Sequence, residues 1–191
     1  MALDSPQLPH AVAALLRPSS NLLASDDCPA HAPNGYELAF APEEWNEHSK
    51  VNNCYAYALG ALDADRPVKP QPGEITGGLP KITAEEYTCP AITHRMMADF
   101  PPPHLLPGSE AASCPAGYYK VALAVDERRD YHFYRQDPDG RWSHKMGEKQ
   151  VSRLDGAQRE IVNPRCAVSD FGSYDYNTFC GYFCAANESA R

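Results

Sequence analysis

The chain has 191 residues, which suits one domain, and its 43% of hydrophobic residues is enough to form a core. Its net charge of -8, from 17 basic and 25 acidic residues, argues against binding to nucleic-acid backbones or to anionic membrane surfaces. No run of residues is long and apolar enough to predict a membrane-spanning helix. The 18 prolines predict many stiff connections and few long helices.

The N-terminal region is predicted to be a separate, extended element. Residues 1–35 are rich in Pro, Ala, Ser and Asp and form an extended lead-in, and residues 36–191 form a single domain. The short apolar run over 11–16 predicts two helical turns. The first ten residues have no basic region, and Pro9 interrupts the apolar stretch, so they do not resemble a secretory signal. If the protein acts outside the cytoplasm, either a signal peptide has been removed from this sequence or a dedicated secretion machine exports the protein.

The first half of the domain is predicted to be helical. Residues 43–63 divide into two helical pieces, and Asn52 or Asn53 is placed to cap the second piece. Residues 65–81 are rich in Pro and Gly and form a loop. Residues 83–99 return to a helical pattern that opens with a capping box and contains a proline that interrupts or restarts the helix.

The second half changes to the period of β-strands. Residues 117–127 are rich in β-forming residues, and residues 129–136 alternate between two faces. The Asp-Pro-Asp-Gly turn over 137–140 joins the second strand to a return strand over 141–146, because Pro fixes φ and Gly tolerates positive φ. The aromatic, cysteine-rich tail over 171–185 has no clear period. A helical half followed by antiparallel strands predicts an α+β fold.

The seven cysteines indicate an oxidising compartment, although seven buried thiols are an alternative. Because seven is odd, one thiol is left free or pairs with another molecule. If that thiol is Cys54, the other six allow three disulfides with fifteen connectivities, and we expect Cys180 or Cys184 to take part.

Cys54 is the candidate nucleophile. It follows two asparagines at the start of a helix, and a thiol gains thiolate character at a helix N-terminus beside an imidazole. Of the seven histidines, only His132 and His144 fall in predicted strands. The hairpin between them brings these two side chains together.

A cysteine at the start of a helix, then a histidine on a strand, then a polar residue on the next strand resembles the papain-like cysteine hydrolases. The chain looks most like the bacterial NlpC-type cell-wall peptidases, over residues 52–146. The resemblance implies a nucleophile helix packed on an antiparallel sheet, with Cys54 as nucleophile, His132 as general base and His144 as the residue that orients His132. The papain-type oxyanion glutamine falls on His48.

The main interpretation is a cysteine hydrolase that cleaves a peptide-type amide bond through an acyl-enzyme, with bacterial peptidoglycan as the first candidate substrate. Residues 36–191 are then the catalytic domain, and no cofactor or metal is expected. The expected partners are a peptide or peptidoglycan-like substrate and an immunity or inhibitor protein. The expected location is outside the producing cytoplasm, by secretion or delivery.

Three alternatives stay open. The same chemistry serves protein-modifying effectors, namely proteases, deamidases and transglutaminases. A second alternative is a non-catalytic, disulfide-stapled binding domain. The third is a zinc site built from His132, His144, Cys180 and Cys184.

Overall fold

The computed structural model describes residues 28–188 and contains a six-stranded antiparallel sheet with short helices. The elements are α1 Pro42–Glu47, α2 Cys54–Ala58, α3 Cys89–Asp99, β1 Leu105–Pro107, β2 Tyr118–Asp126, β3 Asp130–Gln136, β4 Trp142–Lys145, β5 Val151–Ser152 and β6 Thr178–Ala186. Short 3-10 helices lie at Ala84–Glu86 and Pro164–Cys166. The α+β prediction is confirmed. The helical turns predicted over 11–16, and the lead-in before residue 28, lie outside the described residues.

The sheet has the strand order β1-β6-β2-β3-β4-β5, and every neighbouring pair is antiparallel. The predicted hairpin is confirmed: β3 pairs with β4, and Tyr134 lies opposite His144. The tail, for which the sequence predicts no element, supplies β6. Its period is broken because Cys180 is an extra residue in the register, which pairs Leu123 with Gly181 and Ala124 with Phe179.

Both faces of the sheet are buried, and this explains why β2 reads as a nearly continuous apolar run. One face carries Val121 and Leu123 of β2 into a core that includes α2 and α3. The other face carries Ala122 into a second, tyrosine-rich core around Trp142. The alternation predicted for 129–136 is confirmed, because Phe133 joins the first core and Tyr134 the second.

The helices are shorter than their sequence pattern predicts. Asn53 is the cap of α2, and its side chain accepts a hydrogen bond from the backbone N–H of Ala56 at 3.1 Å. The helix ends just before Gly60, whose φ of 66° turns the chain and where a Cβ would clash with the side chain of Leu38. Pro90 stands in the first turn of α3 and therefore starts that helix.

A single carboxylate holds the proline-rich loop against the helices. One oxygen of Asp99 accepts hydrogen bonds from the backbone N–H groups of residues 75–77, at 2.8 to 3.0 Å. The other accepts from the N–H of Gly73 at 2.7 Å and from the hydroxyl of Tyr55 at 2.9 Å. The loop, although irregular in sequence, therefore has a fixed position beside α2.

Six of the seven cysteines are paired, and Cys54 is free. The three disulfides are Cys28–Cys166, Cys89–Cys180 and Cys114–Cys184. The prediction of disulfides that involve Cys180 or Cys184 is confirmed. The alternative of a zinc site with these two thiols as ligands is wrong, because both sulfurs are bonded in disulfides and hold no thiolate for a metal.

Candidate functional site

Cys54 lies at the start of α2, in contact with β3. Its thiol is only 5% exposed, and its Sγ donates to the backbone carbonyl of Tyr131 at 3.8 Å. Burial, and then the negative charge of Asp130, raise the pKa of the Cys54 thiol to about 12. The helix start therefore does not produce the activated thiolate that the sequence suggests. At neutral pH the sulfur is protonated.

His132 and His144 form a bonded pair across the β3–β4 hairpin. Nε2 of His132 lies 2.7 Å from Nδ1 of His144, and Nε2 of His144 lies 2.9 Å from the carbonyl oxygen of Leu154. Burial lowers the pKa of His144 to about 4. Burial, together with the charge of His144, holds the pKa of His132 well below its ordinary value. Both rings are therefore neutral at physiological pH.

These contacts fix which nitrogen of each ring carries the proton. A carbonyl only accepts, so Nε2 of His144 must donate to Leu154, and Nδ1 of this neutral ring must be an acceptor. Nε2 of His132 then donates to it, which leaves Nδ1 of His132 without a proton. The ring of His132 also stacks on Tyr176, with centroids 4.8 Å apart. His144 thus sets the orientation and tautomer of His132.

Cys54 and His132 line one cavity of about 160 Å³, which we call the thiol cavity. Its other walls are Asn53, Lys69, Gln71, Asp130, Tyr131, Gly147 and Tyr176. Three of these residues (Asp130, Gly147 and Tyr176) also line a wider cavity of about 460 Å³, so the two are neighbours.

The thiol cavity has walls of both charges. The carboxylate of Asp130 accepts hydrogen bonds from the N–H of Tyr131 and the hydroxyl of Tyr176, each at 2.9 Å, and burial raises its pKa. The ammonium of Lys69, which also lines the cavity, lies 2.7 Å from the carboxylate of Glu148. A positive group and a negative group are thus available to a ligand.

The structure brings together the three side chains that the sequence singled out. Cys54 and His132 share the thiol cavity, and His144 is bonded to His132. Their assignment as nucleophile, base and orienting residue stays a prediction. Sequence reasoning missed Asp130, the first residue of β3, and Lys69, which lies in the proline-rich loop.

Metal-binding clusters and membrane-spanning helices are both absent from residues 28–188. Within residues 28–188, no three His, Cys, Asp or Glu side chains are grouped so that they could share a metal ion. In the same range, no helix has the length and apolar character needed to cross a membrane.

Comparison with known proteins gives one informative relative. No protein-family model matches the chain, and no solved structure matches it. The chain is 31% identical over 137 residues to the insoluble matrix shell protein 1 of Ruditapes philippinarum, and the match covers 71% of this chain and 82% of the relative.

This similarity corrects the main functional prediction. The relative is named for an insoluble matrix of a shell, and the prediction of a cysteine hydrolase is wrong by that finding. On an identity of 31% that spans most of both sequences, the chain belongs to the family of the insoluble matrix shell protein 1.

Proposed function

We propose that this protein is a non-catalytic structural component of an insoluble extracellular matrix. The observation that carries the proposal is the 31% identity to a shell matrix protein, which extends over 82% of that relative. This function corresponds to the disulfide-stapled binding domain that the sequence left as an alternative. Its expected partners are other components of the matrix.

The three disulfides support a location outside the cytoplasm. They join positions 70, 91 and 138 residues apart, so they fasten distant parts of the chain. Such bonds persist in oxidising compartments and are rare where glutathione keeps thiols reduced. A secreted matrix protein also gains from this stapling, because cross-links between distant residues restrict the unfolded chain and keep the fold intact without cellular repair.

We further propose that the scaffold has a papain-like architecture. In support, α2 packs on β3 and β4, and Cys54, His132 and His144 follow one another in the papain-like order. In a structural protein this architecture serves as a rigid framework. The hydrogen bonds from His132 to His144 and on to Leu154 then tie β3 and β4 to the segment after β5.

A sedimentation experiment tests the structural role. Insoluble matrix from the shell of Ruditapes philippinarum, freed of mineral and washed, is mixed with the purified, oxidised chain and centrifuged. We expect the chain to sediment with the matrix, and the Cys54→Ser variant to do so equally well. Serum albumin, which is also acidic and rich in disulfides, is the control for adsorption. The reduced and alkylated chain should stay in the supernatant, because it has lost its fold.

Two outcomes would contradict the proposal. If the chain stays in the supernatant to the same extent as albumin, the proposed matrix role is wrong. Release of soluble fragments from the matrix by the native chain, but not by Cys54→Ser, would show that the protein is not simply structural.

A further inference from the structure

The thiol cavity contains a hydrogen-bond acceptor that its own walls leave unused. His132 is 1% exposed and lines the cavity, and its Nε2 is committed to His144. Nδ1 is the remaining ring nitrogen; it carries a lone pair and has no hydrogen-bond partner among the described residues. None of the hydrogen bonds of the described residues uses this lone pair, so the nitrogen can accept from a ligand that carries N–H groups.

The two charged residues of the thiol cavity, Asp130 and Lys69, can also bind charged groups of a ligand. Asp130 accepts two hydrogen bonds, whereas a carboxylate has about four lone-pair sites, so it can still receive an ammonium. Lys69 directs one hydrogen bond to Glu148, whereas an ammonium has three donors, so it can still bind a carboxylate. A ligand with both an ammonium and a carboxylate matches this pattern.

The size of the cavity limits the ligand. Its volume of about 160 Å³ is enough for a molecule of the size of one amino acid. The sulfur of Cys54 lies in the wall and is the one thiol that the three disulfides leave over. The ligand therefore has the size and charges of an amino acid and lies beside an unpaired thiol.

We propose that the thiol cavity is a modification site at which Cys54 forms a mixed disulfide with one half of a small zwitterionic disulfide such as cystine. The ammonium of the bound half lies towards His132 and Asp130, and its carboxylate lies towards Lys69. The inference rests on the proposed secreted location only because that location supplies small disulfides.

The reaction balances as a thiol–disulfide exchange. The sulfur of Cys54 attacks one sulfur of cystine, the S–S bond of cystine breaks, and a new S–S bond forms to Cys54. The other half leaves as cysteine and keeps the electron pair of the broken bond. The proton of the Cys54 thiol ends on that leaving sulfur. Cys54 is oxidised, cystine is reduced, and no other reactant is needed.

The exchange is slow for a buried thiol and is assisted by the ligand. The thiolate is the reactive form, and burial disfavours it. An ammonium beside the sulfur favours the thiolate by its positive charge. A disulfide that carries ammonium groups therefore helps to activate the Cys54 thiol that attacks it.

The test compares three disulfides of similar size on the purified chain at pH 7, where the amino groups of cystine and cystamine are protonated. Cystine carries both charges, cystamine lacks the carboxylates, and dithiodipropionate lacks the ammonium groups. Intact mass measures the adduct, its loss on reduction shows the disulfide, and peptide mapping locates it. Each rate is divided by the rate of the same disulfide with a free Asn-Asn-Cys-Tyr-Ala peptide. We expect the normalised rate for cystine to exceed each of the others by about tenfold, the effect of one charge-assisted hydrogen bond.

Matched variants separate recognition from simple access to the sulfur. Lys69→Gln should lower the cystine rate about tenfold and leave the cystamine rate within twofold. Glu148→Gln breaks the same ion pair but keeps the ammonium of Lys69, so it should keep the cystine rate. Cys54→Ser should give no adduct.

Three outcomes would overturn the proposal: equal normalised rates for the three disulfides, no effect of Lys69→Gln, or disulfide-linked dimers of the chain as the main product. Because the assay contains no matrix, each of these results is independent of the sedimentation experiment and leaves the proposed structural function standing.

Discussion

Cys54 should react slowly with alkylating reagents at neutral pH, and the size of the effect follows from its surroundings. Burial raises the pKa of the thiol from its ordinary 9.0 to about 12, so the thiolate population at pH 7.5 falls roughly 1000-fold. A more basic thiolate is also a better nucleophile, and with a Brønsted slope of about 0.45 this recovers roughly 20-fold. The net expectation is alkylation about 50-fold slower than that of an exposed cysteine.

The assay is timed iodoacetamide treatment followed by peptide mapping. The reference is the same peptide in chain unfolded by urea with its disulfides intact, where Cys54 has its ordinary pKa. In the folded chain, the rate should rise about tenfold for each pH unit up to about pH 11, because the thiolate population does so below the pKa. Cys54→Ser gives the background.

Fast alkylation of the folded chain at pH 7.5, with a rate that levels off near neutral pH, would refute this reasoning. It would mean that the helix start and the neighbouring imidazole stabilise the thiolate by more than burial disfavours it.

The remaining predictions concern stability. Asp99→Asn should destabilise the fold by about 3 kcal/mol and lower the melting temperature by roughly 9 °C in calorimetry, because the amide turns a donor towards N–H groups. Replacing Cys89 and Cys180 together by Ser should cost about 4 kcal/mol in urea unfolding, since their disulfide spans 91 residues. Burial lowers the pKa of His31 to about 4, so the unfolded chain binds a proton between pH 6.5 and 4 that the folded chain does not. The stability that is complete above pH 6.5 is therefore lost as the pH falls to 4, and His31→Phe should reduce this loss in melting temperatures taken at pH 7 and 4.5.

The predictions for Asp99 and His31 each have a control in the chain. Glu85→Gln makes the same chemical change as Asp99→Asn at an exposed position, and it should alter stability by less than about 0.5 kcal/mol. His94 is exposed, so His94→Phe should leave the pH dependence unchanged. Equal effects at Glu85 and Asp99, or equal pH profiles for the two histidine variants, would contradict the structural reasoning.

The features that the sequence predicts well are those determined by neighbouring residues. The cap at Asn53 and the turn over 137–140 are local, and they suffice to place Cys54 at a helix start and to bring His132 beside His144. The α+β class follows from the same local periods.

The features that it misses depend on contacts between distant residues. The strand β6 is hidden by its extra residue Cys180, and the pairing of cysteines depends on the finished fold. The protonation state of Cys54 also depends on burial, which the helix-start pattern does not contain. Asp130 at the start of β3 and Lys69 in the proline-rich loop both line the thiol cavity, and no motif in the sequence shows that they meet there.

The position of β6 in the sheet has a consequence for how the protein is made. This strand follows the others in the chain but lies between β1 and β2, and it supplies Cys180 and Cys184 to two of the three disulfides. A nascent chain that has emerged only as far as residue 177 therefore has β2 with one open edge, and both Cys89 and Cys114 without their partners. Such edges and thiols pair wrongly when they are exposed, and the Cys89–Cys180 and Cys114–Cys184 disulfides can form only after synthesis has passed β6, whereas Cys28–Cys166 does not depend on this strand.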